Sequence, residues 1–235
     1  MAVLLGALIR GYSGFGASMF WVASLSLLYA PAVVVPTVLT LEVMASLLML
    51  RAVWGRVEWG SMGWLLASTL VCTPLGVLLL AVIPERPMRL VVGLGILVGT
   101  LAMQLGVTRH GPPSLGSTLL AGGVSGVVNG ATAIGGPPAV ILYFSGREEL
   151  TASRATLVVY FLGMDAGTVA MFATRGLVGA PTLHHVIAFA PLAAAGVVLG
   201  QAGFHRWGEK GFRRVTLWVL LVLGTATVLR ALAWG

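Results

Sequence analysis

The sequence predicts an all-α, polytopic integral membrane protein. About eight hydrophobic segments form two homologous repeats, each headed by a glycine-rich broken or re-entrant helix. Three observations predict this. First, 58% of the 235 residues are hydrophobic and 9% are charged, with a mean hydropathy of +0.99. Soluble domains carry about 25% charged residues, so the apolar excess here needs lipid around it. Second, short charged loops punctuate the apolar runs. Third, two runs are interrupted by glycine, proline and polar residues where a membrane helix is expected: Asn129–Pro138 and Arg10–Ser18.

Composition excludes other classes. The net charge of +7 comes from positives clustered between apolar runs, as positive-inside loops require. No basic stripe with interleaved aromatics points to nucleic acid. Cys72 is the single cysteine, so neither an intrachain disulfide nor a cysteine metal cluster is expected. No cofactor and no metal site is expected. The chain contains no Gly-x-x-x-x-Gly-Lys-Ser/Thr motif, so transport would draw on an ion or substrate gradient.

The segments follow in order. Met1–Ile9 lacks a basic n-region and does not read as a signal peptide; with only nine residues before Arg10, it is short for a full span. Met19–Leu50 is too long for one crossing, which takes about 20 residues. Pro31 and Pro36 therefore start a new helix that runs to about Ala52. Arg51–Gly60 is a polar loop with Trp54 and Trp59 as interface anchors. Ser61–Ile83 spans with an expected kink at Pro74-Leu75-Gly76. Leu90–Thr108 spans with Gly93, Gly95 and Gly99 available for close packing. Leu115–Phe144 holds the second glycine-rich stretch. Ala155–Thr174, Val186–Phe204 and Val215–Leu229 complete the set. No polar domain intervenes, so residues 1–235 read as one membrane domain with repeats of about 1–108 and 115–235.

The repeats are visible at an offset of 119: Gly11 meets Gly130, Gly16 meets Gly135, Thr37 meets Thr156 and Arg56 meets Arg175. Two topologies remain open. Either both glycine-rich segments cross the bilayer, giving eight spans, or each re-enters as paired half-helices, giving inverted halves of three spans. Both put the termini on the less basic side.

The glycine-rich breaks carry the chemistry. Packing explains Gly122, Gly123 and Gly126, but not Gly135-Gly136-Pro137-Pro138, which ends one helix and starts another. Uncovered amides at a new helix N-terminus, with its positive dipole end, form an anion site. Irregular backbone is tolerated at membrane depth where protein or a polar cavity surrounds it, and paired interrupted segments mark secondary-transporter binding sites. The expected frame is Gly14, Phe15, Gly16, Gly135, Gly136 and Pro137. Ser13, Ser18, Asn129 and Thr132 are the candidate hydrogen-bond donors to substrate. Phe15 and Ile134, at matched positions, are the candidate apolar wall.

The Gly-x-x-Gly-Phe-Gly pattern of Gly11–Gly16 and Ile134-Gly135-Gly136-Pro137 stand at the heads of the two halves. With the short-looped spans that follow, they resemble the sulfite exporter (TauE/SafE-type) permease family. The resemblance covers nearly the whole chain through motifs that are mostly glycine. It implies a duplicated, roughly eight-span transporter of sulfur-containing anions and organosulfonates, such as sulfite or sulfoacetate. Two features depart from the family pattern: Ala17 and Ser18 stand where further glycines are common, and the segment before them is short.

Arg10 and Asn129 precede the two breaks at matched places. Arg10 reads either as a buried counter-charge for the anion or as a side chain reaching the interface. Asn129 could equally tie two helices together, and Arg154 reads as a positive-inside loop charge. Glu42 and Asp165 are acids well inside spans. Charging a desolvated carboxylate is costly, which suits a proton-coupling group; an ion pair or interhelical hydrogen bond is the other reading. Partners are therefore a small anion, the bilayer and a coupling proton, in a multi-pass inner-membrane protein of open oligomeric state. A passive anion channel is the alternative mechanism. Gly-x-Ser-Gly strings at Ser13 and Ser125 resemble the rhomboid nucleophile motif, but His110, His184, His185 and His205 all lie near loops, and a serine nucleophile needs a base within reach.

Overall fold

The computed structural model describes residues 1–104, 114–144 and 150–207, together with Thr225 and Leu229. The last expected span as a whole, most of the linker between halves, His110 and the His205 side chain lie outside the described residues. Nine α-helices and a 3₁₀ turn are described, and among the described residues there is no strand.

Helix α1 (Ala2–Ser13) is followed after a short break by α2 (Ala17–Leu25). Helix α3 (Pro31–Val53) begins with proline at its first position behind an extended Ala30, where the missing N–H costs nothing. The turn Trp54–Arg56 leads to α4 (Trp59–Val82), which runs through Pro74 as one helix. Trp54 and Trp59, both half exposed, stack edge to face at 4.9 Å on this corner. Helix α5 (Glu85–Gln104) closes the first set. Helix α6 (Leu115–Thr132) starts on Ser114, whose Oγ accepts the Ser117 amide. Then come α7 (Gly136–Phe144), α8 (Leu150–Thr174) and α9 (Ala180–Trp207).

Four helical stretches are long and apolar enough to cross a membrane: Pro31–Arg56, Trp59–Val82, Ala152–Thr174 and Ala180–Gly203. Of the four, the stretches of α3 and α8 are the more buried and those of α4 and α9 the more exposed. The boundaries recur along the chain. α6 ends 119 residues after α1, α7 begins and ends 119 residues after α2, and α8 begins 119 residues after α3.

Packing crosses between the two sets. α1 lies on α9, α6 lies on α4, and α3 crosses α8 at the centre. Lipid-soluble helices have no hydrophobic drive to associate, so close backbone approach has to supply the contact energy. At Gly11, Gly196 and Gly200 a methyl group would overlap the facing helix of the α1–α9 pair, and at Gly76, Gly122, Gly126 and Gly130 that of the α4–α6 pair. Large apolar side chains then fill the centre, with Trp21, Leu39, Tyr143, Tyr160 and Phe172 fully buried.

Candidate anion site between two helix breaks

Both breaks are built the same way. α1 ends on Gly14 in the left-handed conformation (φ 84°), whose amide donates to Arg10 O at 2.8 Å. α6 ends on Ala133, also left-handed (φ 59°), whose amide donates to Asn129 O at 2.9 Å. Ser13 Oγ lies 2.7 Å from Ile9 O and accepts the Phe15 amide at 3.3 Å. Thr132 Oγ1 donates to Val128 O at 2.7 Å and accepts the Ile134 amide at 3.3 Å. These two hydroxyls therefore hold the turns. Neither is among the residues that line the cleft.

Between the breaks lies a small, partly open cleft. Of the expected residues, Arg10, Phe15, Gly16, Ser18, Asn129, Gly136 and Pro137 line it, and so do both acids, Glu42 and Asp165. Gly14, Ile134 and Gly135 stand behind it. Ile134 is buried, its Cδ1 lying 3.7 Å from where a Gly95 methyl would stand, so it is no counterpart of the cleft-lining Phe15. Gly135 is wedged against Asn129 and the Ser125 carbonyl, each 2.5 Å from where a Cβ would sit. A side chain has no room there.

Arg10 is 2% exposed and clamped on several sides. Its Nη1 donates to Gly14 O at 2.8 Å and its Nη2 to Ser46 Oγ at 2.6 Å. The guanidinium carbon sits 5.0 Å from the centre of the Phe161 ring, a cation–π distance. Its Nε lies 3.0 Å from Glu42 Oε2. The reading of Arg10 as a side chain reaching the interface is thus set aside, and its charge already has a carboxylate beside it. Asn129 Nδ2 donates to Asp165 Oδ1 at 3.0 Å and approaches Thr168 Oγ1 at 3.3 Å. It ties α6 to α8 and borders the cleft as well. Arg154, expected as a loop charge, reaches inward: its Nη2 donates to Gly11 O at 2.8 Å. There it neutralises the negative end of α1.

Sequence reasoning missed Phe161, Ser46, Met19, Val140 and Met164. Two of these were within its grasp. Phe161 stands 119 residues after Glu42, and Ser46 stands 119 residues before Asp165, so the repeat offset itself marks them.

A family model for the sulfite exporter TauE/SafE family matches residues 1–227. The chain belongs to that family. Searches of curated proteins and of solved structures gave no match. TauE/SafE members are membrane transporters of sulfur-containing anions, and the chain is accordingly an integral membrane protein of the transporter class.

The cleft of this TauE/SafE chain offers a guanidinium, the amide at the start of α2, and an apolar wall of Phe15, Met19 and Phe161. α2 and α7 differ as donors. Pro137 and Pro138 remove two amides from the first turn of α7, whereas Ala17 and Ser18 keep theirs at α2. Among the described residues no cluster of three metal-ligating side chains occurs. Ser13 is engaged by the turn as above, and His185 packs on Tyr29 and Phe189 with its Nδ1 beside Pro181 O.

Proposed function

We propose that this protein is a multi-pass inner-membrane permease that moves a sulfur oxyanion or organosulfonate, such as sulfite or sulfoacetate, through the cleft between the two breaks. The chain is read as a duplication, with α1–α2 and α6–α7 as corresponding broken helices. Arg10 with the α2 amides takes the oxyanion head, and Phe15, Met19 and Phe161 take an organic tail. The observation that carries this reading is the convergence of Arg10, the α2 N-terminus and the α6–α7 break on one partly open cleft.

Charge favours a carrier over a passive pore. Two carboxylates share the cleft with one guanidinium. A like charge about 4 Å away opposes an anion by about 4 kcal/mol at an effective dielectric constant near 20. An amide–anion hydrogen bond returns about 1.5–3 kcal/mol. The anion therefore binds well only after a carboxylate takes up a proton, which couples the two.

The test is uptake into proteoliposomes. Labelled sulfite or sulfoacetate should accumulate when a pH gradient is imposed and should exchange without one. Purified protein should also melt at higher temperature with the transported anion, since a ligand of the folded state stabilises it by mass action. Flux that dissipates a gradient and never accumulates substrate would favour the channel. No response to any sulfur anion would overturn the proposal.

A further inference from the structure

Glu42 lies where an oxyanion would bind. Its carboxylate sits 3.0 Å from Arg10 Nε, and the Ser18 amide in the first turn of α2 faces it. Yet neither carboxylate oxygen completes a hydrogen bond, and neither does Arg10 Nε. Both side chains are 98% buried, each being 2% exposed. A buried ion pair with its hydrogen bonds unmade is a costly arrangement, one that a better partner can displace.

Asp165 is placed differently. Its Oδ1 already accepts from Asn129 Nδ2, so its charge has a fixed donor in the same half of the chain. The charged groups facing Glu42 are Arg10 from α1 and, across the cleft, Asp165 from α8. Glu42 is thus the carboxylate whose release would free a cation, and the second acid opposes leaving it charged beside a guest anion.

On the reading that this cleft carries sulfur oxyanions, we infer that Glu42 is a tethered competitor of the substrate. It stands beside Arg10 and the α2 amide in the empty protein and yields that place by taking a proton. The proton goes onto Glu42 itself, and no bond in the substrate is made or broken. The protonated carboxyl then donates its O–H to the incoming oxyanion, which accepts from Arg10 Nε and the Ser18 amide as well. Arg10 Nε and one Glu42 oxygen, both orphaned in the empty pair, gain partners, and one proton enters with each anion. The substrate class that suits these three convergent donors is a small oxyanion, such as sulfite or a sulfonate.

The probe is methanesulfonate, whose charge stays constant through the working range, so any pH dependence belongs to the protein. Binding to the wild type should weaken up to about tenfold per pH unit as pH rises, because one proton is taken up per anion. Glu42→Gln keeps a neutral donor and should bind methanesulfonate with a flat pH profile. Asp165→Asn should keep the slope. A proton-uptake measurement on wild-type protein in weak buffer should give about one proton per bound anion, and it decides the matter even if Glu42→Gln fails to fold. Binding without proton uptake, or a slope that persists in Glu42→Gln, would overturn the inference and leave the permease reading standing. Absence of binding by methanesulfonate, sulfite and sulfoacetate at every pH would bring down both.

Discussion

Asn129 on α6 donates to Asp165 on α8 at 3.0 Å, and the residues 119 places earlier, Arg10 and Ser46, make the corresponding bond at 2.6 Å. One half therefore builds this contact from a neutral donor and an acid, the other from a cation and a hydroxyl. In both, the donor lies on the helix before the break, but the charge is carried by the donor in one and by the acceptor in the other. The charge asymmetry of the cleft originates here.

Removing the neutral donor should leave a buried acid without its partner. Asn129→Ala is expected to lower stability by about 1–3 kcal/mol, the cost of an unmet buried polar group. Asn129→Asp sets a second carboxylate against Asp165 and should cost more at neutral pH than at acid pH, where one of the two is protonated. Thermal melting in one detergent across pH checks both. An Asn129→Asp profile parallel to wild type would show that the pair is not electrostatically linked.

Gly135 and Gly136 adjoin in sequence but should fail differently. A methyl at 135 would press on Asn129 and the Ser125 carbonyl, whereas a methyl at 136 meets the Phe161 ring at an ordinary 3.6 Å inside the cleft. Gly135→Ala should therefore lose about 1–3 kcal/mol of stability from overpacking. Gly136→Ala should melt near wild type and lose oxyanion affinity. Melting temperature and sulfite affinity measured together separate the two, and the reverse pattern would move the site.

A similar contrast tests the helix seam. Gly122 faces the Leu65 carbonyl and Ser68, while Gly123 meets only Cys72 Sγ, at 3.4 Å. Gly122→Ala should cost about 1–3 kcal/mol by forcing α6 off α4. Gly123→Ala should be within about 0.5 kcal/mol of wild type, as substitutions away from tight features are. Equal melting temperatures for the two would mean that the seam is looser than its backbone contacts imply.

Ala133 holds a left-handed conformation at φ 59° where the first half has Gly14. Such backbone costs an L-residue about 1–2 kcal/mol, and glycine avoids it at about 0.5–1 kcal/mol of extra chain entropy. Ala133→Gly should thus stabilise by up to about 1 kcal/mol. Gly14→Ala should destabilise, its methyl also meeting Arg154 Cγ at 2.9 Å. Chemical or thermal unfolding of the pair measures the difference, and loss of stability in Ala133→Gly would contradict the strain.

Composition determined that this chain lives in lipid, and the length of its apolar runs that it is helical, because runs near 20 residues cross a bilayer as helices that satisfy their own backbone. Local sequence also placed both breaks to within a residue or two, since glycine and proline act on their own φ angles and amides. Some helix boundaries recur 119 residues apart, where breakers and apolar runs recur in the sequence. What no local pattern held was which side chains meet. Ser13 and Ser18 look alike in sequence, yet one locks a turn and the other faces the cleft. Glu42 and Asp165 look alike too, yet one lies beside a guanidinium and the other accepts from an amide. The two acids differ only where α1 meets α3 and α6 meets α8, because Arg10 and Glu42, 32 positions apart, and Asn129 and Asp165, 36 apart, come together through helix packing, and the energy of a buried charge is set by whatever that packing brings beside it.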